Sequence, residues 1–502
     1  MSNQPSSDTG TTGADSQALL VRVRMYRSGL GDCFLISFFQ SGTEHHMLID
    51  CGVYQGTPDS EAIMLDIARH IRKTTSRHID LVVGTHEHWD HLSGFQQART
   101  VFDQIDMKQV WLAWTEDPTN PLAVQLRQER TLALNTLRVA ASLMPASLAA
   151  QQTTVNGLLD FFGPSENMAT ETLSSAPQET GKVSGARQAL DYLAGRADAL
   201  VSYCTPGEPP RTLEGLPGVR FFVLGPPTSE KLLKKTKPGK KAQETYGLTE
   251  AVDMTGSFFA AIQQLQASAP ISSAQLQDYP FDPRFQVTRE HASHDPFFIE
   301  HYGFDGAEDD KNAWRRIDQD WLSVTSELAL NLDSATNNTS LVLAIELVES
   351  GQVLLFPGDA QVGNWLSWND LSWDIPLPDG ATKTIRAADL LSRTVLYKVG
   401  HHGSHNATLR EQGLERMQSQ QMVGMLPVQR EMAERQNWSM PFPALYQRLQ
   451  EKTRGRMIRL DDGLPEAAPP AENGLPLSTQ AEWKAFKRKT SEQRLYLDYF
   501  IG

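Results

Sequence analysis

Four side chains of the metal-ligand type are crowded into the stretch Thr85–His91, which reads Thr-His-Glu-His-Trp-Asp-His. The aliphatic run immediately before it is typical of a buried strand, so the stretch is predicted to be the loop at a strand end. Because side chains two positions apart in an extended backbone point the same way, His86 and His88 can bind one cation. Asp90 and His91, one step further round the turn, can bind a second. The pattern therefore predicts two neighbouring metal sites.

Two more predicted strands end in residues of the same kind. Val353–Phe356 is followed by Pro-Gly-Asp, and a carboxylate after glycine, here Asp359, suits a position between two cations. Thr394–Gly400 runs into a pair of histidines. Period-two alternation favours His402 as a metal ligand and leaves His401 to contact the substrate or support the ligands. Imidazole suits zinc and carboxylates widen the choice, so two divalent cations, zinc or else manganese, are the predicted cofactors.

Length and composition are those of an ordinary globular protein. The chain has 502 residues, of which 40% are hydrophobic and 21% charged, enough for a full α/β domain with large insertions. Its net charge of −14 opposes binding to a polyanion, so a nucleic-acid contact would need a local basic patch. The lysine-rich stretch 231–241 is either a solvated loop or such a patch. No stretch is apolar enough to span a bilayer, and three cysteines make a poor disulfide framework, so a cytoplasmic location without a membrane partner is expected.

Several short motifs together resemble a known family. They are the Thr85–His91 stretch, Gly29-x-Gly31-Asp32, Asn338-x-Ser340, Gly358-Asp359 and Lys398-Val399-x-His401-His402-Gly403-Ser404. The first resembles the signature of the metallo-β-lactamase superfamily, and the set is similar to the soluble hydrolase domain of ComEC-type DNA-uptake proteins. The resemblance implies an α/β fold, the αββα sandwich, with metals at strand ends between two sheets. It also implies that Asp50, at the end of a strand, hydrogen-bonds the ligand loop. Since ComEC-type proteins also carry a membrane channel and this sequence has no candidate for one, DNA uptake is not implied.

The resemblance covers about residues 19–114, 200–227 and 336–463, and it divides the chain into a core and two large, mainly helical or irregular insertions. The expected parts are a polar, disordered tail at 1–17, the first half of the metallo-β-lactamase fold at 18–114, a helical insertion at 115–200, core strands at 201–227, a second insertion with the lysine run and a cap at 228–335, the second half of the fold at 336–463, and a C-terminal extension at 464–502. The sequence leaves open whether the two insertions pack as one cap or as two.

One position departs from the family pattern. Most hydrolases of the superfamily place a further histidine about one strand before the bridging aspartate, whereas residues 337–340 of this chain read Asn-Asn-Thr-Ser. Amide and hydroxyl oxygens are weaker and harder ligands than imidazole. Asn338 is therefore expected to support the ligands. The first site is expected to be loose, to prefer manganese, or to take a histidine from the second insertion, which contains His291, His294 and His301.

The predicted centre indicates a metal-dependent hydrolase. Two cations activate water and stabilise both the attacking and the leaving oxygen, which favours hydrolysis of phosphodiester bonds in a small molecule or a nucleic acid. Asp90 is expected to act in catalysis through the metals. His401, Lys398 and Ser404 are expected to neutralise developing charge, and His405 to protonate the leaving group. Two alternatives stay open: hydrolysis of an ester, thioester or lactam, and a catalytically weak, metal-bound interaction protein. The sequence names no protein partner.

Overall fold

The computed structural model describes residues 19–144, 148–165, 183–236, 285, 287–303, 322, 324–377, 379–470 and 477–502. The predicted tail at 1–17 lies outside the described residues, as do Lys237, Lys240 and Lys241 of the lysine run. Within the described ranges the chain is a mixed α/β structure with several sheets, which confirms the α/β class expected from the sequence.

The strands and helices alternate along much of the chain. The described strands are β1 (Leu20–Tyr26), β2 (Cys33–Gln40), β3 (Thr43–Cys51), β4 (His78–Ile79), β5 (Leu81–Gly84), β6 (Asp106–Met107), β7 (Gln109–Ala113), β8 (Leu200–Cys204), β9 (Arg211–Leu213), β10 (Leu216–Gly225), β11 (Val342–Leu347), β12 (Gln352–Phe356), β13 (Ser372–Pro376), β14 (Thr382–Arg386), β15 (Thr394–Lys398), β16 (Val423–Leu426), β17 (Met457–Arg459), β18 (Thr490–Glu492) and β19 (Tyr496–Ile501). The described α-helices are α1 (Ser60–Thr74), α2 (Trp89–Gln97), α3 (Arg99–Phe102), α4 (Pro121–Ser142), α5 (Ala149–Leu159), α6 (Gly185–Ala194), α7 (Glu230–Leu233), α8 (Arg289–His294), α9 (Pro296–Tyr302), α10 (Thr325–Asn337), α11 (Val362–Ser367), α12 (Ala387–Ser392), α13 (Arg430–Arg435), α14 (Pro443–Lys452) and α15 (Gln480–Arg488).

The first large sheet has eight described strands in the order β18-β19-β1-β2-β3-β5-β7-β8. Neighbours from β18 to β3 are antiparallel, and those from β3 to β8 are parallel. Alternation along β1 turns Val21, Val23 and Met25 to the inner face, where they are fully buried. The aliphatic strand β5 is buried throughout, as expected for a parallel strand that is covered on both faces.

The second large sheet has seven described strands in the order β17-β16-β15-β12-β11-β10-β9. Its neighbours from β9 to β12 are antiparallel, whereas β12, β15, β16 and β17 run parallel. Because parallel strands point the same way, the carboxyl ends of β12 and β15 lie side by side. The loops after these two strands carry Asp359 and the pair His401 and His402, so the topology brings those side chains to one edge of the sheet.

A shared apolar cluster lies between the two sheets. It contains Phe34 and Trp111 from the first sheet and Phe221 and Phe356 from the second. The rings of Phe34 and Phe356 meet edge to face at 5.7 Å between centroids. Helices α1, α2 and α6 pack on the outer face of the first sheet, and helices α11, α12 and α14 pack on the outer face of the second. Each sheet is therefore buried on both faces over most of its width.

The two insertions contribute to one packed unit. Helices α4 and α5 come from the expected first insertion and α10 from the second, and their apolar side chains form a single cluster. Its members include Leu134, Leu137, Val155, Leu328 and Ala329, all buried. We call these three helices the cap. Over the described residues, the structure thus joins parts of both insertions into one cap.

Two segments have a different place from the one the sequence suggested. Helix α6, inside the expected insertion 115–200, packs on α2 and adds Leu190 and Leu193 to the cluster behind the first sheet. The expected extension 464–502 supplies β18, β19 and α15, and β19 pairs with β1 over six residues of each strand. Arg24 on β1 donates two hydrogen bonds of 2.7 Å to Asp498 on β19. The last strands therefore complete the first sheet, which the motif match alone could not reveal.

Among the described residues, no helix has both the length and the apolar character needed to span a membrane.

Candidate metal centre

The loop that carries the first predicted ligands begins where β5 ends at Gly84. His86 and His88 lie in this loop, and α2 begins at Trp89, so Asp90 and His91 occupy the first turn of the helix. All four of these side chains are at most 1% exposed. A Cβ added at Gly52, in the Asp-x-Gly motif after β3, would come within 2.3 Å of the backbone of Asp90. The glycine is therefore needed for the close approach of β3 to the start of α2.

Four predicted ligands from three strand ends come together in one buried group. One donor atom from each of Asp90, His91, Asp359 and His402 lies within 4.8 Å of the others. Nε2 of His91 is 3.1 Å from Oδ2 of Asp359, and Nε2 of His402 is 3.0 Å from Oδ2 of Asp90. Metal–ligand bonds to nitrogen and oxygen are about 2.0–2.2 Å long. The separations of 3.0 and 3.1 Å between donor atoms are therefore short enough for the atoms of each pair to bind one cation.

Several donor atoms in this group have no hydrogen-bond partner among the described residues. They are Oδ1 of Asp90, Nε2 of His91 and Oδ2 of Asp359. Nε2 of His91 and Oδ2 of Asp359 are close, yet they are not aligned for a hydrogen bond. Buried polar atoms are nearly always satisfied, so a set of unsatisfied atoms that converge calls for an explanation. The group therefore has the donor types and the unfilled bonding capacity that suit a divalent cation.

Hydrogen bonds behind three of the histidines fix which ring nitrogen faces the centre. Nδ1 of His91 lies 2.7 Å from Oδ2 of Asp50, and Nδ1 of His402 lies 2.6 Å from the carbonyl of Pro427. Since both partners can only accept, both Nδ1 atoms carry the proton. Nδ1 of His86 is 3.0 Å from Oγ1 of Thr85. In each ring Nε2 is therefore the nitrogen left for a cation, which would displace any proton that Nε2 carries. This is the arrangement that supporting partners of metal-bound histidines impose.

Asp50 performs the supporting role that the resemblance implies for it. Besides its contact with His91, it accepts hydrogen bonds from the backbone N–H of Thr85 at 2.8 Å and from the Thr85 hydroxyl at 2.7 Å. Because the Thr85 hydroxyl donates to Asp50, its oxygen is free to accept from His86. One carboxylate thus holds both the start of the ligand loop and the ring in α2.

The loop around Asp359 is fixed by its neighbours. The backbone at Gly358 has φ of 56°, and an added Cβ there would meet the Ser340 side chain at 3.0 Å. The backbone N–H of His401 donates to Oδ1 of Asp359 at 2.8 Å. Lys398 donates to the same oxygen at 3.1 Å. These bonds to Oδ1 leave Oδ2 of Asp359 facing the other ligands.

Lys398 has a different environment from the one expected of a substrate contact. It is 1% exposed, forms an ion pair with Asp32, and donates to the carbonyl of Gly358 at 2.8 Å. Burial disfavours its charge, but attraction to Asp32 and Asp359 outweighs burial and raises the pKa of Lys398. Asp32, Asp50 and His91 also have donor atoms within 4.8 Å of one another. The ammonium group therefore compensates the negative charge beneath the centre.

The histidines of the ligand loop differ in their preference for protons. Burial is the main reason why the pKa of His88 falls to about 3 and why the pKa of His86 lies well below its usual value. Burial also opposes charge on His91, but the carboxylates of Asp359 and Asp32 raise the pKa of His91 well above its usual value. His86 and His88 are thus in the neutral form that binds a metal, whereas a cation would displace a proton from His91.

His401, Ser404 and His405 lie around the edge of the centre. His401 is 6% exposed, and its Nδ1 is 2.8 Å from the Ser404 hydroxyl. His401 and His402 have φ of 42° and 52°, a conformation that L-residues seldom adopt and that often accompanies a functional site. The ring of His405 packs near Phe442, at 6.0 Å between centroids. Of the three, His401 is the one in contact with the ligands.

Asn338 is used by the backbone around it. Its amide nitrogen donates to the carbonyls of Leu233 and Lys235 at 3.2 and 2.8 Å. Its amide oxygen accepts from the backbone N–H groups of Gln361 and Asn364, both at 3.2 Å. Asn338 therefore ties the loop after α7 to the segment that follows Asp359. The histidines of the second insertion, His291, His294 and His301, lie on α8 and α9 and belong to neither of the two candidate ligand groups found among the described residues.

Two polar side chains of α10 face the centre, and sequence reasoning missed one of them, Asp333. Asp333 is 2% exposed and Asn337 is fully buried. The Asn337 amide donates to Oδ2 of Asp333 at 3.3 Å, and it is 3.4 Å from Nε2 of His401. Burial raises the pKa of Asp333, and the charges of Asp90 and Asp359 raise it further. The i, i+4 spacing of Asp333 and Asn337 is the sequence signal that could have identified the pair.

A buried network of four charges lies behind the ligand loop. Glu87, between the two histidines of the loop, is 2.7 Å from Arg130 of α4. Glu116 is 3.2 Å from Arg130 and 2.6 Å from Arg187 of α6. Arg187 is also 3.4 Å from Glu87. These pairs connect the cap and α6 to the loop that carries the ligands.

Aromatic side chains at the end of the cap cover His88. The rings of Phe161 and Phe162, in the short turn after α5, lie 5.7 and 4.9 Å from the ring of His88. Both are almost fully buried. The centre is therefore closed from solvent on this side by an apolar wall.

The chain matches no protein-family model, and a search of curated proteins found no match to it. The assignment of a function to this centre therefore rests on the chemistry of its own residues and on the motifs that they form.

Proposed function

We propose that this chain is a metal-dependent hydrolase of the metallo-β-lactamase superfamily, similar to the soluble hydrolase domain of ComEC-type proteins, and that it acts on phosphodiester bonds. One observation carries the proposal: Asp90, His91, Asp359 and His402 present buried donor atoms within 4.8 Å of one another. Burying ionisable groups costs free energy unless a counter-charge or a metal compensates them. The unpartnered oxygens and nitrogen of this group support compensation by divalent cations.

The order of the layers supports the assignment to this fold. An apolar layer is shared by the two large sheets, and helices pack on the outer face of each. An αββα sandwich would have its layers in this order. The candidate centre lies beyond the ends of β5, β12 and β15, and the superfamily holds its metals at the corresponding strand ends.

The residues divide into two neighbouring sites in this proposal. His86 and His88 would hold the first cation, and Asp90, His91 and His402 the second, with Asp359 between the two. Bound divalent cations would lower the pKa of water and stabilise negative charge on the reacting oxygens. Zinc is the first choice for this donor set, and manganese the alternative, because the set mixes imidazole with carboxylate.

The other polar residues of the centre orient these ligands. Lys398 and the backbone N–H of His401 bind one oxygen of Asp359 and so fix the direction of the other. Lys398 then acts on the ligands rather than on the substrate. The His401 ring is held at Nδ1 by the Ser404 hydroxyl and at Nε2 by the Asn337 amide. It would have to give up the contact with Asn337 and gain a proton on Nε2 before it could donate a hydrogen bond to a phosphoryl oxygen.

The charges of the chain favour a small phosphodiester over a long nucleic acid. The net charge of −14 repels a polyanion. Lys234, in the described part of the lysine run, is paired with Glu129 at 3.2 Å and with Glu230 at 2.8 Å. Its charge is therefore already compensated. Turnover of a small phosphodiester that changes little with ionic strength would agree with this choice, because neutralising many phosphates gives a steep dependence on salt.

The test combines metal analysis with turnover. The purified full chain is analysed for bound elements and assayed with bis(p-nitrophenyl) phosphate in the presence of zinc or manganese. We expect about two cations per wild-type chain, which is the stoichiometry of a two-metal hydrolase. In Asp90→Asn we expect turnover to fall by more than about 100-fold, because loss of a ligand exceeds the 10–100-fold effect of losing a supporting partner.

A matched control comes from the opposite end of β5. Asp80 is also a buried carboxylate beside a histidine, with Nδ1 of His45 at 3.1 Å, and Asp80→Asn should keep metal content and turnover. Bound metal together with hydrolysis of p-nitrophenyl acetate or a thioester, and no phosphodiester turnover, would move the assignment to the ester-type alternative. A wild-type chain that binds neither metal would contradict the hydrolase and leave the interaction protein.

A further inference from the structure

Two buried polar atoms face each other between the ligand loop and the cap. Nε2 of His88 and Oδ1 of Asp333 are 3.8 Å apart. Both side chains are at most 2% exposed, and neither atom has a hydrogen-bond partner among the described residues. At this distance the two groups do not form a hydrogen bond, but a movement of less than 1 Å would bring them within range. The pair is therefore poised to form one.

His88 is the odd member of the set of predicted histidine ligands. In His86, His91 and His402, Nδ1 is within 3.0 Å of an oxygen atom, so Nε2 is left for the centre. In His88 it is Nδ1 that faces inward, 3.1 Å from Nε2 of His86. If His88 binds a cation through Nδ1, its proton must lie on Nε2, and that proton needs an acceptor. Oδ1 of Asp333 is the acceptor the structure offers.

We propose that Asp333 is the positioning carboxylate of His88, accepting a hydrogen bond from Nε2–H when Nδ1 binds the first cation. The inference rests on the two-metal centre proposed above and adds a residue to it. Asp333 would act on His88 as Asp50 acts on His91. Asp333 would not replace the histidine that the family pattern has and this chain lacks, because it would act through His88 and would not bind the metal itself.

The surroundings of Asp333 argue against a purely structural role. Its other oxygen accepts from the Asn337 amide at 3.3 Å, and among the described residues His88 is the only cationic or ionisable basic side chain recorded within 4.0 Å of it. A buried carboxylate without a charged partner destabilises a fold. A group that costs stability and faces a predicted ligand is better explained by its effect on that ligand.

Asp333 also links the cap to the metal centre. It lies on α10, whose Leu328 and Ala329 pack against α4 and α5. The hydrogen bond from His88 to Asp333 needs the first cation on Nδ1 of His88 and α10 in the position seen here. Binding of the first cation would therefore favour this position of α10. Asp90, His91 and His402 would hold the second cation, and among the described residues no hydrogen bond or ion pair is recorded between these three and α10.

The experiment measures cation affinity in the full chain, with Asp333→Ala and Asp333→Asn beside the wild type. The metal-free proteins are titrated with zinc in competition with a chromophoric chelator, and with cobalt while its visible absorption is followed. We expect Asp333→Ala to bind one of two cations about 10–100-fold more weakly, the effect typical of losing a supporting partner, and the other cation unchanged. Asp333→Asn, whose amide oxygen can still accept, should recover part of the loss.

Two further measurements separate positioning from structure. Unfolding of the metal-free proteins in urea should show Asp333→Asn to be as stable as the wild type or more so, because burying a carboxyl group costs free energy, whether it stays charged or takes up a proton, and a neutral amide avoids that cost. Ser334→Ala, on the same helix and at a buried position, is the matched control and should keep both affinities. A large loss of stability in metal-free Asp333→Asn would overturn the proposal.

Three other outcomes would also decide whether Asp333 positions His88. Wild-type affinity for both cations in Asp333→Ala would overturn the role of Asp333 and leave the proposed function intact. Complete loss of one cation in both variants, with a cobalt spectrum that reports one ligand fewer, would make Asp333 a direct ligand and overturn positioning through His88. A wild-type chain that binds no cation is a failure of the proposed function itself, and it is recognised before any variant is compared.

Discussion

The hydrogen bonds behind the ligands determine what the candidate centre can bind. Asp50 contacts His91 and two groups of Thr85 at 2.7–2.8 Å, so it sets the tautomer of one ring and the path of the loop that carries two others. A carboxylate in this position also makes the imidazole a better electron donor. Such partners affect metal affinity without touching the metal.

Replacement of Asp50 by Asn should therefore weaken metal binding. An amide NH₂ accepts no hydrogen bond. If the amide oxygen keeps the bond to Thr85 N–H, the NH₂ group faces Nδ1–H of His91 and the Thr85 hydroxyl without an acceptor, so the ring of His91 would lose its proper tautomer. We expect the affinity for one cation to fall by about 10–100-fold, measured by competition with a chelator. Asp80→Asn, which removes a buried carboxylate at the other end of β5, should leave the affinity unchanged. Equal losses in the two variants would mean that the effect is a general loss of stability.

The spacing of residues in the sequence was enough to name candidate ligands, and the resemblance named Asp50 as a support, but neither pointed to Asp333. His86, His88, Asp90 and His91 could be named because they follow a predicted strand within one short loop. Asp333 could not, because it lies in a helix whose position depends on the packing of the cap. The environment of Lys398 could not be predicted from the sequence either, since it depends on Asp32, in the turn before β2 of the other sheet.

At the scale of elements, the cap is attached to the ligand loop by charge as well as by apolar contact. Arg130 of α4 and Arg187 of α6 are both within 3.5 Å of Glu87 and Glu116, and all four side chains are at most 8% exposed. Buried ion pairs seldom add much stability compared with apolar residues, but they are costly to break. The network therefore specifies how α4 docks beside the loop.

Removal of one arginine from this network should destabilise the chain. In Arg130→Met, two buried carboxylates share the single charge of Arg187, and we expect a loss of about 3–5 kcal/mol in the free energy of unfolding, measured by urea denaturation. Adding Glu116→Gln to this variant should restore part of it. The control is Glu129→Gln, on α4 like Arg130, which removes the exposed ion pair between Glu129 and Lys234. It should change the free energy of unfolding by less than about 1 kcal/mol. Similar losses in both single variants would contradict the buried network.

The sequence predicted the elements of the core better than those of the insertions. Alternation in β1 and the aliphatic run of β5 identify strands because burial of one face or of both faces leaves a direct pattern. Helix α10 has a weaker pattern, since its inner face carries Asp333 and Asn337 next to the centre and apolar residues only toward the cap. Its role in joining the two insertions could be seen only once the helices were packed.

At the scale of the whole molecule, the first sheet is built from both ends of the described chain. Strand β1 lies between β2, which follows it directly, and β19. Arg24 and Asp498 form the buried ion pair across the junction, and the Arg24 guanidinium lies 3.5 Å from the centre of the Tyr496 ring. The ring and the carboxylate together compensate a buried positive charge.

Loss of the Asp498 charge should therefore affect the stability of the entire fold. In Asp498→Asn the buried Arg24 keeps its charge without an anionic partner. We expect the free energy of unfolding, measured in urea, to fall by about 3–5 kcal/mol. The control is Glu44→Gln, which removes the exposed partner of Arg22 in the same sheet and should cost less than about 1 kcal/mol. A double variant with leucine at Arg24 and Asp498 should be more stable than Asp498→Asn alone. If it is not, the loss comes from packing rather than from the unpaired charge.

The pairing of β1 with β19 has a consequence for the order of events on the ribosome. Arg24 and Asp498 are 474 positions apart in the chain, and translation adds about 5–20 residues per second. Strand β1 therefore leaves the ribosome on the order of tens of seconds before β19 exists. During that interval one edge of β1 presents unpaired backbone groups, which can pair with other chains. The nascent protein thus passes through a period in which aggregation competes with folding, and that period ends only when β19 is released.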